Sequence, residues 1–174
     1  MKKALVLILS LCLMCSAAFA GETIVLNWDE TATEEVAGQG EFQQIEIPDV
    51  AKVSYWIPSV MKAEEDGVEG EFLQAATYTT EDNNYRVTVT AFQVSSMEQY
   101  AADMKDYSIG SNFVNLTING VDCIGFEMEE YDIETLMYPV TDNVVLSVSC
   151  IPLNGDEDWD AVKQAIFASI RPVE

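Results

Sequence analysis

Histidine is absent from all 174 residues. Its absence removes the commonest general base, the commonest transition-metal ligand and every histidine-dependent triad. Basic residues are scarce as well: 8 Lys and Arg stand against 30 Asp and Glu, for a net charge of −22. Such a surface repels nucleic acid and anionic lipid, because holding phosphates depends on lysine and arginine. A nucleic-acid role is excluded. The charge allows solubility, attraction to cations or basic partners, or life at high salt.

Long apolar runs are lacking too. The one candidate, Ala4 to Met14, is shorter than the roughly 20 residues a membrane span needs. Lys2 and Lys3 precede it and Ala18-Phe19-Ala20 follows, a small-x-small cleavage site before Gly21. Residues 1–20 therefore read as a signal peptide, and the protein as secreted or retained in the cell envelope. Cys12 and Cys15 lie inside this run. A lipid-anchoring cysteine usually follows a small residue, whereas Leu11 and Met14 stand before these two. Without Lys2 and Lys3 the chain from Gly21 to Glu174 carries a net charge near −24, and its length suits one domain with a sizeable core.

Thr23 to Trp28 is β-prone, and DETATEEVA reads as one or two helical turns capped by Asp29. Residues 21–41 thus form a strand and short-helix extension to a domain over 42–174. GQGEFQ lacks the third glycine of a phosphate cradle and its strand-to-helix setting. Two strands, Phe42 to Ile47 and Val53 to Ile57, flank a Pro48-Asp49 turn, and Pro58 ends the second. AEEDGVEGE is a polar loop. Phe72 to Thr80 and Tyr85 to Val94 form a hairpin across EDNN. Ser96 and Gln99 make a capping box for a helix with Met97, Tyr100, Ala101 and Met104 on one face.

From Phe113 to Ile151 the chain reads as an antiparallel meander, turning at Asn119-Gly120 and at Thr141-Asp142-Asn143. A helix from about Asp158 to Ser169 closes it, with Trp159, Val162, Ile166 and Ile170 along one side. Val144, Leu146 and Val148 oppose Val145, Ser147 and Ser149, so one sheet face is apolar and the other mixed. The expected fold class is α+β: an antiparallel meander with its apolar face packed against two long helices, the mixed face partly covered by the N-terminal segment. If Glu130 pairs near Glu134, Cys123 lies level with about Thr141, and Cys150 with about Thr135. That separation is roughly 20 Å, too far for a disulfide.

The order of these elements, with YWIPS ending the first hairpin, SMEQYAADM as the capped helix, the ING turn and ASIRP closing the chain, resembles the PsbP-like α-β-α sandwich family. That family includes the extrinsic PsbP subunit of photosystem II, nuclear Ran-binding relatives and many exported bacterial proteins. The resemblance covers about Phe42 to Pro172. It implies a non-catalytic binding or assembly module, carries no site residues, and nothing else in the chain points to photosynthesis or a nucleus.

Ser59-Val60-Met61-Lys62 spells the S-x-x-K of penicillin-recognising enzymes, but S-D-N and K-T-G are missing and Pro58 marks a turn. With 30 acids, carboxylate pairs of the kind that cut glycosides occur everywhere and single out no site. No catalytic residue is assigned and the chain is read as no enzyme. Asn154, Asp156, Asp158 and Asp160 resemble the opening of a calcium loop, yet Trp159 and Ala165 stand where an EF-hand needs glycine and glutamate. The other reading of this run is an acidic helix cap. A looser cation site shared with Glu64-Glu65-Asp66 or Glu81-Asp82 is the alternative. Asn115-Leu116-Thr117 falls within a strand and is given no role. Trp28, Trp56, Tyr78, Tyr85, Tyr131 and Tyr138 read as core or strand-pairing residues, and as a partner surface if several share the mixed face. The expectation is an acidic binding module for a protein or cell-surface component, the alternative a divalent-cation (calcium) binding protein.

Overall fold

A computed structural model describes residues 23–32, 34–64 and 72–173. The expected signal peptide lies outside the described residues. Eleven strands form two sheets among those residues: β1 (Ile24–Leu26), β2 (Gly40–Ile47), β3 (Ala51–Pro58), β4 (Met61–Ala63), β5 (Gln74–Thr80), β6 (Arg86–Gln93), β7 (Ser111–Ile118), β8 (Val121–Met128), β9 (Ile133–Thr141), β10 (Val144–Ile151) and β11 (Arg171–Pro172). Four helices accompany them: α1 (Trp28–Thr31), α2 (Glu34–Ala37), α3 (Met97–Asp106) and α4 (Glu157–Ala168). The large sheet runs β1-β7-β8-β9-β10-β6-β5-β4, and the small one β11-β3-β2. Every neighbouring pair is antiparallel except β1 with β7.

The expected α+β arrangement of two long helices on one meander face is overturned. About half of the described residues are strand, and the longer helices have only 10 and 12 residues. The reason lies in the register. Gly125, Leu136 and Val148 share one ladder row, while Phe126, Thr135 and Ser149 share the next. The apolar side of β8 (Ile124, Phe126, Met128) therefore faces opposite to the apolar side of β10 (Val144, Leu146, Val148). Each sheet face needs its own cover. On the first face α4 and the whole small sheet pack together, joining Ile45, Val53, Tyr55, Ile57 and Ile166 to Val89, Leu136 and Val148. On the second, Met97, Tyr100 and Met104 of α3 meet Phe126, Met137 and Val145.

Local chemistry fixes the joints. Asn119 (φ 49°) and Gly120 (φ 84°) make a turn whose positive φ values match the twist of β7 and β8. The Asn119 side chain also accepts from the Trp28 N–H at 3.1 Å and donates to Ala168 O and Ile170 O at 2.8 and 3.0 Å. It thereby ties α1 and the end of α4 to the same turn. Ser96 caps α3 by accepting from the Gln99 N–H, but the Gln99 side chain donates forward to Asp103 rather than back to the cap. A 3-10 turn (Glu129–Tyr131) followed by left-handed Asp132 takes up residues between β8 and β9. Glu134 consequently pairs with Glu127, not Glu130.

Candidate binding cleft

Gly40 opens β2 against Trp56: a Cβ there would stand 2.4 Å from Ile57 O and from the Trp56 ring. Pro58 closes β3, and the Ser59-Val60 turn passes the chain from the small sheet to β4 of the large one. Where the sheets part, an open cleft of about 230 Å³ forms, lined by Glu41, Gln43, Ile57, Pro58, Ser59, Met61, Ala63 and Tyr78. The polar lining is a carboxylate, an amide and two hydroxyls, Ser59 and Tyr78, with no basic side chain among the described lining residues. Glu41 has no ion-pair partner among the described residues. Tyr78 shares a 2.9 Å hydrogen bond with the hydroxyl of Tyr55, which is wholly buried. Burial, with the Tyr78 contact, holds the Tyr55 phenol well above the ordinary tyrosine range.

Ser59 and Lys62 do not form a nucleophile pair. They lie on a turn and a strand, not on one helical turn, and Met61 and Ala63 line the cleft, so alternation sends Lys62 to the other face. Lys62 instead pairs with Glu81, whose carboxyl it holds below its usual range. Cys123 and Cys150 are free and buried. With Glu134 level with Cys150 and Tyr138 level with Cys123, they stand two strands and four residues apart, about 16 Å. Burial pushes the Cys123 thiol up to about 12 and raises Cys150 as well, so neither is a ready thiolate.

The acidic run before α4 is divided by the helix it begins. Asp156 is the N-cap: Oδ1 accepts from the Trp159 N–H at 2.9 Å and Oδ2 from the Tyr85 hydroxyl at 3.4 Å. Asp158, two residues on, is turned about 200° around the axis, away from Asp156. Asp160 pairs with Lys163 at 3.1 Å, and Asn154 is exposed. Among the described residues no three of His, Cys, Asp and Glu stand close enough to hold a metal ion. In the other acidic loops, Glu64 faces Arg86 at 3.6 Å, and Asp82 accepts from Thr80 and Asn84. Glu65 and Asp66 lie outside the described residues.

Two polar residues escape a reading of the sequence. Lys163 is 5% exposed, and its ammonium donates to Leu153 O (2.6 Å), Glu134 (2.6 Å) and Asp160 (3.1 Å). Its position four residues after Trp159 and three before Ile166, inside the apolar stripe of α4, is the signal that marks it. Ser169 is fully buried, accepting from the Trp56 N–H at 2.8 Å and donating to Ile166 O. The aromatics do not share one platform. Trp28 and Trp56 cluster with Phe42 on the outer side of the small sheet, Tyr85 packs on Trp159, Tyr78 and Tyr138 are buried, and Tyr131 is exposed.

No family model and no curated protein matches this chain. Among solved structures, a crystal structure from Bacteroides thetaiotaomicron VPI-5482 matches at 15% identity and a TM-score of 0.46, over 78% of this chain. The chain spans about half the length of that protein, 49% of which is covered. No helix of the described residues is long and apolar enough to cross a membrane.

Proposed function

We propose that this chain is an exported, acidic, non-enzymatic binding module whose cleft receives a basic side chain of a partner protein. The carrying observation is the cleft lining, in which Glu41, Gln43 and Ser59 offer oxygen acceptors beside apolar walls and no base competes for them. An ammonium or guanidinium fits that chemistry, since it can lay its stem on Ile57, Pro58 and Met61 while its head meets the carboxylate. A net charge of −22 adds long-range attraction for such a partner. The reading as a binding module is supported by the lack of histidine, by thiols held protonated, and by a serine whose nearest sequence lysine points elsewhere.

The test is a titration with Nα-acetyl-lysine methylamide, followed by amide proton–nitrogen correlation spectra. Millimolar binding that shifts the amides of Glu41, Gln43, Ser59, Met61 and Tyr78, and that Glu41→Gln weakens, is the expected result. Shifts spread over acidic residues at large, or untouched by Glu41→Gln, refute the cleft.

A further inference from the structure

The strands at the sheet edges are unequal. β1, β4 and β11 have 3, 3 and 2 residues, but β2 has 8. Long edges are hazards that proteins usually blunt with lysine, proline or a bulge. β2, GEFQQIEI, has neither residue, and its register with β3 runs unbroken from Gly40 to Ile47; the charges it does carry, Glu41 and Glu46, are acidic and blunt it against acidic strands, not basic ones.

Its hydrogen-bonding side can be read from the register. Ser59 N–H donates to Gln39 O, one step beyond the Gly40–Pro58 pair. Bonding pairs alternate in an antiparallel ladder, so Glu41, Gln43 and Ile45 spend their backbone groups on β3. Phe42, Gln44 and Glu46 then turn theirs outward. The far side of β3 agrees, because Lys52 O accepts from Val173 N–H and Trp56 N–H reaches Ser169, both away from β2. No described hydrogen bond uses the backbone groups of Phe42, Gln44 or Glu46. The same strand carries Glu41 and Gln43 in the cleft.

We propose that β2 takes up an extended segment of a basic partner protein as an added strand, with alternate cationic side chains entering the cleft beside Glu41. This rests on the reading of the cleft given above. Main-chain bonds to Phe42, Gln44 and Glu46 supply affinity, and the period of two supplies selection, since only every second partner residue faces the cleft. Charge decides against a second copy of this chain. Two copies meeting at β2 would each bring a net charge of −22, and bodies of like charge repel.

The probe is a capped eight-residue peptide alternating lysine and valine, with two blocked versions N-methylated on all lysines or on all valines. Only one blocked set places its methyl groups against β2. Losing several backbone bonds weakens that version at least about tenfold, while the other binds like the parent. The parent also slows amide exchange at Phe42, Gln44 and Glu46 and leaves Gln43 and Ile45 unchanged. If both blocked peptides bind like the parent and Glu41→Gln weakens all three, strand addition is overturned and the cleft reading survives. Absence of any shift in the cleft or β2 at millimolar peptide overturns both. Protection of the same amides without peptide, rising with protein concentration, assigns the edge to a second copy and also overturns the proposal.

Discussion

Replacing Lys163 with methionine tests how the last helix is held. The methionine keeps the stem in the apolar stripe but removes an ammonium that fills all three of its donor positions. Breaking a fully buried ion pair costs about 3–5 kcal/mol, and an exposed one under about 1. The Glu134 side chain is 35% exposed and that of Asp160 is 47%, so water recovers part of both. Stranding Leu153 O adds about 1 kcal/mol. The sum is about 2–4 kcal/mol, or roughly 5–15 °C for a domain of this size. Calorimetry at pH 7 reads it directly. Burial alone would lower the lysine pKa, but Glu134 and Asp160 outweigh it and hold the ammonium above its ordinary value. The contribution is therefore complete at pH 7 and is lost only as pH rises through that raised value. Adding Glu134→Met to the variant should restore part of the loss, because it removes the stranded carboxylate. A Lys163→Met melting point within about 2 °C of the parent would refute the reasoning.

Ser169→Ala strands the buried Trp56 N–H and should cost about 1–3 kcal/mol, with faster amide exchange at Trp56; unchanged exchange there would show that water replaces the hydroxyl. Above pH 9 the protein should lose stability, since both thiols have folded pKa values raised above 9.0 and their contribution is full only below it. Replacing both cysteines with alanine should flatten that decline between about pH 9 and 11, and an unchanged slope would place its origin in the tyrosines. Asp156→Ala removes a helix cap and should cost about 1 kcal/mol, equally in EDTA and in calcium. A calcium-dependent loss would instead make Asn154–Asp160 a cation loop.

The strands from β5 to β10 were legible because their signals are local. Asn119-Gly120, the Ser96 cap and the alternation of β10 each act within a few residues, and all stand where the pattern put them. What failed was relative orientation. Nothing in CIGFEMEEYD tells a reader that Glu129–Tyr131 leave the strand, and three residues of 3-10 turn shift the β9 register against β8. The short strands β4 and β11 have too few residues to show a period, and β11 follows the helix whose end it shares. The apolar sides of β8 and β10 look alike in sequence, and only their pairing puts them on opposite faces. The cleft was hidden for a similar reason, since Glu41 and Tyr78 meet across two sheets. Its residues carried no pattern of their own.

Asn119 is also a point of chemical ageing. In an Asn-Gly pair the glycine amide nitrogen can attack the side-chain carbonyl, converting asparagine to aspartate or its isomer. Here the amide group that would be lost is the one donating to Ala168 O and Ile170 O. An aspartate would set carboxylate oxygens against both carbonyls, and an isoaspartate would lengthen the turn as well. The clasp that restrains the reaction by holding the side chain still is the one the reaction would open. Aged protein should accumulate a species one mass unit heavier with a loosened end to α4, and its melting point should drift down with storage time.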